Sequence, residues 1–110
     1  MDGGRTGFLK NCYMGDKAAG HTAQILRAVE RGTYIPKLYL ITFARNEREQ
    51  LDIVHAKYLL RPAVRNTLPP ICGVAIGRKE AFEVVRRMVS DCYQATGSVA
   101  LQSFLLSDRS

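Results

Sequence analysis

The sequence lacks a long apolar run, and this shortage limits the class of protein. No segment approaches the roughly 18 to 20 consecutive apolar residues that a membrane-spanning helix needs, so we expect a soluble chain. The start of the sequence carries glycine and charged residues where a secretory signal would place its apolar stretch. We therefore expect a cytoplasmic protein.

Cysteine is scarce as well, and no metal-binding pattern is present. Cys12, Cys72 and Cys92 are odd in number and widely spaced, so they fit neither a disulfide framework nor a CxxC pair. The two histidines, His21 and His55, have no Cys, Asp or Glu at the spacing of metal ligands. We predict free thiols, no metal site and no cofactor.

The motifs of common catalytic and phosphate-binding sites are also missing. The sequence contains no GxSxG and no HExxH, and the segment from Gly73 to Gly77 has neither the third glycine of GxGxxG nor the GK[ST] ending of a P-loop. A Cys-His enzyme would need Cys72 or Cys92 beside His55, with an exposed and acidified thiol. Apolar patterning instead predicts that both cysteines lie in the core and that Cys12 is the exposed thiol. We predict no catalytic residue.

The composition is that of an ordinary globular protein. The chain has 110 residues, of which 46% are hydrophobic and 24% charged. A chain of this length favours one domain, because two halves would each bury too little surface. Residues 1–16 contain four glycines and little periodicity, which predicts a flexible N-terminal arm followed by a single α/β domain over 17–110.

Apolar periodicity and turn residues predict six alternating elements. These are a helix over 18–31 capped by Asp16, a central strand over 37–43, a helix over 47–61 opened by Asn46, a strand over 71–76, a helix over 78–96 and a strand over 99–106. Such alternation is typical of parallel sheets with right-handed crossovers. The predicted fold is a small three-stranded, mainly parallel sheet in helix-strand-helix-strand-helix-strand order, with the helices packed on the sheet.

The predicted helix over 47–61 is apolar on two opposite sides, and the second side needs a partner. That side consists of Ile53, Ala56 and Leu60. Its partner is the first helix, the N-terminal arm or another subunit. A three-stranded sheet also leaves two open edges, which a second copy can cover. We therefore predict a homodimer with these three residues at its interface.

Cationic residues follow two of the predicted strands. Arg45 and Asn46 come after the first strand, and Gly77, Arg78 and Lys79 come after the second. Ligands of parallel α/β sheets bind at the carboxyl ends of the strands, where helix N-termini attract anions. This pattern predicts a site for phosphate or carboxylate. The alternative interpretation is that both segments are ordinary capped turns with solvated charges.

The positive charge of the chain is concentrated in one segment. The sequence has 16 Lys and Arg against 10 Asp and Glu, a net charge of +6. Residues 53–79 include no acidic residue and carry five of these charges, on Lys57, Arg61, Arg65, Arg78 and Lys79. Such a segment could contact nucleic-acid phosphates, although no helix-turn-helix, RNP or KH motif accompanies it. The alternative is ordinary surface charge.

The leading hypothesis is a small cytoplasmic α/β binding or interaction domain that binds a small anion or phosphorylated ligand at the carboxyl edge of its strands. A basic, nucleic-acid-associated accessory protein is the alternative. A small Cys/His-dependent enzyme is the third possibility.

Overall fold

A mixed β-sheet between two layers of helices forms the body of the protein. The computed structural model describes residues 8–33, 35–46 and 48–107. Its elements are β1 (Phe8–Met14), α1 (Asp16–Ala19), α2 (Thr22–Arg31), β2 (Leu38–Phe43), β3 (Leu51–His55), a 3₁₀ helix (Ala56–Leu60), α3 (Pro62–Asn66), β4 (Ile71–Ile76), α4 (Arg78–Thr96) and α5 (Leu101–Leu106). Within the described ranges, no helix is long and apolar enough to cross a membrane.

The strands lie in the order β1-β4-β2-β3. β1 is parallel to β4, whereas β2 is antiparallel to both of its neighbours, β3 and β4. The predicted α/β class is confirmed, and β2 is the interior strand that its apolar run predicted. The three-stranded, mainly parallel sheet is wrong, because the described residues form four strands in a mixed arrangement.

Each face of the sheet carries its own buried cluster. The α2-side cluster joins the sheet to α1, α2 and the 3₁₀ helix, and consists of Ala18, Ile25, Val29, Leu38, Leu40, Ala56, Leu59, Ile71 and Val74. The α4-side cluster joins it to α4 and α5, and includes Ile41, Phe43, Cys72, Ala75, Ala81, Val84, Met88, Cys92, Leu101, Phe104 and Leu105. Successive residues of a strand point to opposite faces, so the nearly continuous apolar run of β2 supplies both clusters.

The predicted helix over 47–61 is wrong, because its centre is the edge strand β3. Ile53 lies opposite Ile41 of β2, and Val54 lies opposite Leu40. β-branched side chains pack well on a pleated surface, and cross-strand pairs of this kind stabilise a sheet. The apolar residues that helical spacing placed on two opposite sides therefore include those of a strand, whose successive side chains point to opposite faces of the sheet.

Asn46 does cap backbone N–H groups, but it caps those of a turn. Its side-chain oxygen Oδ1 accepts hydrogen bonds from the N–H groups of Arg48 at 2.9 Å and Glu49 at 3.0 Å. Asparagine forms such turns with its own following backbone as readily as it starts helices. The predicted helix start is thus the connection between β2 and β3.

The ends of the chain differ from the prediction as well. Within the predicted flexible arm, Phe8–Met14 form the edge strand β1, and residues 1–7 lie outside the described residues. The predicted last strand is the helix α5, because Leu101, Phe104 and Leu105 have helical spacing and are buried together on the α4 side.

The two predicted outer helices had different outcomes. The first is divided into α1 and α2 at Gly20, and Asp16 is the first residue of α1 rather than its N-cap, which is Gly15. The helix α4 begins and ends as predicted, and Gly97 closes it with a left-handed φ of 74°.

Candidate functional site

The predicted anion-binding residues do not form one site. Arg45 and Asn46 follow the carboxyl end of β2, whereas Gly77, Arg78 and Lys79 lie at the carboxyl end of β4. Because β2 and β4 are antiparallel, their carboxyl ends lie at opposite ends of the sheet along the strand direction. The prediction placed them together because it assumed parallel strands.

The part of the predicted anion site that follows β2, Arg45 and Asn46, lies in a polar cavity of about 410 Å³. Its lining includes the Glu49 side chain, whose carboxylate opposes a bound anion. The oxygen of Asn46 already accepts two backbone N–H groups. These features make this half a weak anion site.

The part of the predicted anion site that follows β4 lies beside the carboxyl end of β3. β3 and β4 run in the same direction because each is antiparallel to β2. His55 is the last residue of β3 and therefore lies at the same end of the strands as Arg78. The two segments share a cavity of about 500 Å³, named here the His55–Arg78 cleft and lined by Tyr39, Leu51, Asp52, Ile53, His55, Lys57, Tyr58, Arg78 and Phe82.

Two cations in this cleft lie over exposed aromatic rings. The Nζ atom of Lys57 is 5.5 Å from the ring centre of Tyr58, and the guanidinium of Arg78 is 5.8 Å from that of Phe82. Tyr58 is 45% exposed and Phe82 51% exposed. Cation–π contacts favour these positions of the charges while the ring edges stay open to solvent. The cleft therefore combines positive charge with planar apolar surface.

His55 holds the backbone of Lys57 in place. Its Nδ1 atom accepts a hydrogen bond from the Lys57 N–H at 3.0 Å, which caps the 3₁₀ helix. Its ring meets that of Tyr39 edge to face, with the ring centres 4.9 Å apart. An accepting Nδ1 assigns the proton of the neutral imidazole to Nε2. His55 is thus a hydrogen-bonded, half-buried residue that positions a cation.

The Glu80 carboxylate is an anion of the protein itself, and several backbone N–H groups donate hydrogen bonds to it. The Glu80 carboxylate accepts the N–H groups of Lys17 at 2.7 Å, Ile76 at 2.8 Å and Ala18 at 3.3 Å. Lys17 and Ala18 belong to the first turn of α1, where N–H groups lack helical partners. Glu80 therefore joins the start of α1, the end of β4 and the start of α4.

Gly77 completes this edge of the sheet. Its φ of 93° is an angle that glycine adopts without strain and that other residues rarely adopt. Its N–H donates a hydrogen bond to the carbonyl of Lys37 at 2.7 Å. This bond ties the start of α4 to the turn before β2. Lys79, the next residue after Arg78, is exposed and does not line the cleft.

The predicted interface residues do not share a face. Ile53 packs against the α4-side cluster, Ala56 is buried in the α2-side cluster, and Leu60 is 51% exposed. They were grouped by helical spacing, and the strand followed by a 3₁₀ helix separates them. These three residues therefore do not form the single apolar face that helical spacing predicted.

The cysteines lie in protected positions. Cys72 and Cys92 are buried, as predicted, but Cys12 is partly buried against the α2-side cluster and is not the exposed thiol that was predicted. Burial, with the neighbouring Cys72 thiol, raises the pKa of Cys12 from 9.0 to about 12. Across the part of the chain that the structure describes, no group of three or more His, Cys, Asp or Glu side chains could hold a metal ion.

The raised pKa of Cys12 predicts a loss of stability at alkaline pH. Between about pH 9 and about pH 12 the unfolded chain has released this proton while the folded chain still holds it. The folded state then binds more protons, so its stability falls as the pH rises through this window. Urea unfolding at increasing pH should show a shallower fall for Cys12→Ala than for the native chain. Parallel pH curves would contradict the assignment.

Comparisons of the chain with protein-family models, with curated proteins and with solved structures found no match. The sequence identified Arg78 as a candidate site residue. It did not place Lys57 or Tyr58 beside Arg78. The β-branched pair Ile53 and Val54 before His55 was the signal that could have revealed a strand ending there.

Proposed function

We propose that the chain is a small binding domain that takes a phosphorylated ligand with a planar apolar group in the His55–Arg78 cleft. The observation that carries the proposal is the pair of cations, Lys57 and Arg78, that two separate elements bring over aromatic rings in one cavity. A volume of about 500 Å³ is typical of small-molecule sites.

The chemistry of the two cations suits a phosphate group. The planar guanidinium of Arg78 can donate two parallel hydrogen bonds to phosphate oxygens, and Lys57 adds a compact charge. Arg78 is the first residue of the long helix α4, whose dipole is positive at that end. Tyr58 and Phe82 offer the aromatic surface against which a planar group can pack.

Titration with phenyl phosphate, phenol and inorganic phosphate, followed by calorimetry, tests the proposal. We expect phenyl phosphate to bind most tightly. Arg78→Gln and Lys57→Gln should each weaken its binding about tenfold or more, because each removes a charge-assisted hydrogen bond. Lys79→Gln is the matched control and should change the affinity less than about twofold.

Equal losses in Arg78→Gln and Lys79→Gln would show only a general charge effect and would contradict the cleft. Phenol binding as tightly as phenyl phosphate would contradict an anion site.

The nucleic-acid alternative is less well supported by the positions of the cations. Arg65, within the acid-free segment, donates from Nη1 to the carbonyl of Leu59 at 2.8 Å and is used inside the protein. Nucleic-acid binding with a steep loss of affinity as salt rises, without phenyl phosphate binding, would favour this alternative.

The location and subunit number belong to the same proposal. We infer a cytoplasmic domain, which three cysteines outside disulfide bonds support, and a homodimer. The support for the dimer is β3, an edge strand whose five residues are all half-buried. Native mass spectrometry of the purified chain reports both the subunit number and any retained ligand.

A further inference from the structure

A second cavity lies at the same edge of the sheet but on its other face. Its volume is about 620 Å³, and its lining consists of Lys17, His21, Gln24, Ile35, Pro36 and Ile76. Ile35 and Ile76 pack against the α2-side cluster, whereas the His55–Arg78 cleft adjoins α4. The two cavities are therefore separate, and the inference drawn here does not depend on the proposed function.

The lining is divided by chemistry. Ile35, Pro36 and Ile76 provide an apolar floor. Lys17 and His21 are exposed and carry a cationic ammonium and an imidazole, and among the residues that the structure describes no acidic residue is part of the lining. An apolar body with a few polar groups at one side is the usual construction of a small-molecule pocket.

Hydrogen bonds hold the walls in place. One carboxylate, that of Glu80, accepts the N–H groups of both Lys17 and Ile76, so it fixes the backbone of two lining residues from different elements. The Leu38 N–H donates to the Ile35 carbonyl at 3.2 Å and closes the turn that contains Pro36. A pocket with fixed walls loses little conformational entropy when a ligand binds.

We propose that this cavity binds an amphipathic monoanion, a small carboxylic acid with an aliphatic or aryl body. The body packs on Ile35, Pro36 and Ile76, and the carboxylate lies beside Lys17 and His21. A neutral apolar ligand would leave the charge of Lys17 unused, and a bare phosphate or acetate would leave the apolar floor exposed to water. A cationic ligand would be repelled by Lys17.

Amide NMR titration of the full chain with octanoate, octanol and acetate tests the proposal, with each probe kept below its micelle-forming concentration. Octanoate should shift the Lys17, Ile35 and Ile76 signals saturably and should bind about fivefold or more tightly than octanol. Acetate should bind much more weakly, because it has no apolar body to bury.

Lys17→Gln is the diagnostic variant, since its side chain is exposed and its backbone bond to Glu80 remains. It should weaken octanoate binding by about fivefold and leave octanol binding within about twofold. Arg27→Gln, an exposed substitution on α2 outside the lining, should leave both affinities unchanged.

Three results would overturn the proposal. They are octanol or acetate binding as tightly as octanoate, equal losses in Lys17→Gln and Arg27→Gln, and the absence of saturable shifts at Ile35 and Ile76. Arg78→Gln should leave octanoate binding unchanged, so a failure here is distinguishable from a failure of the phosphate proposal.

Discussion

Glu80→Ala is expected to lower the free energy of unfolding by about 3 kcal/mol, a large part of the stability of a domain of this size. Glu80 is only 8% exposed, and its carboxylate accepts hydrogen bonds from three backbone N–H groups. Hydrogen bonds to a charged group contribute about 1.5 to 3 kcal/mol each, but bonds that share one acceptor group are not additive. Urea unfolding at neutral pH measures the loss.

The matched control for this prediction is Glu83→Ala on the same helix. Glu83 is exposed, so its removal should change the free energy of unfolding by less than about 0.5 kcal/mol. Glu80→Gln should lie between the two, because the amide keeps one acceptor oxygen but loses the charge. Equal stabilities of Glu80→Ala and Glu83→Ala would show that the three N–H groups find water instead.

Gly15→Ala gives an independent route to the same contact. A Cβ atom at Gly15 would overlap the Glu80 carboxyl group, so the alanine must displace it. The two substitutions remove the same hydrogen bonds, and their effects should not add. In the Glu80→Ala background, Gly15→Ala should cost little, because the overlapping group is gone. Additive losses would mean that Gly15 and Glu80 act independently.

Glu80 bears on both proposed binding sites, because its hydrogen bonds lie at one cavity and its helix begins at the other. Its carboxylate fixes the backbone of Lys17 and Ile76 in one cavity, and its helix begins with Arg78 of the other. Loss of these bonds should therefore loosen the lining of the first cavity and the start of α4 together. A buried carboxylate at this position makes the sheet edge rigid enough to hold preformed sites.

The sequence predicted best those elements whose signals are local. Helix α4 has a sustained apolar period and a glycine at each end, so its bounds were correct. The interior strands β2 and β4 were recognised because they are buried on both faces and are apolar throughout. Neither inference needed knowledge of a distant partner.

The site depends on contacts that are distant along the chain, and the sequence did not predict these. Lys57 and Arg78 line one cavity because β3 and β4 both run antiparallel to β2, and strand direction is not encoded in a periodic pattern. The role of Glu80 was missed for the same reason, since Lys17 and Ala18 precede it by 63 and 62 residues. Early acidic residues in a helix are usually explained by the dipole alone.

Gly73→Ala is the second prediction with a large effect, because α4 packs directly on this position of β4. A Cβ atom there would lie 2.7 Å from Met88 Cε, 3.1 Å from Ile41 Cδ1 and 3.2 Å from Val84 Cγ1. Overpacking in a close-packed core costs about 1 to 3 kcal/mol. We expect thermal and urea unfolding to show a loss within this range, because Met88 Cε is the end of a flexible side chain that can move, whereas Ile41 and Val84 must each shift by a few tenths of an ångström. Gly73→Val, with two more methyl groups, should cost more or prevent folding.

Gly20→Ala is the matched control for Gly73→Ala. Gly20 has a φ of −77°, and the nearest neighbouring atom to its added Cβ would be a backbone oxygen at 3.8 Å. Alanine there should be neutral or slightly stabilising, because it reduces the conformational entropy of the unfolded chain. The comparison separates crowding from the general effect of replacing a glycine.

Met88→Leu shows whether crowding against α4 is the cause of the Gly73→Ala loss. Leucine conserves the volume of methionine but has no Cε atom, so it removes the closest of the three contacts. Gly73→Ala should therefore cost less in the Met88→Leu background than in the native chain. An undiminished loss would assign the strain to Ile41 and Val84, whereas no loss in either background would mean that α4 does not approach β4 this closely.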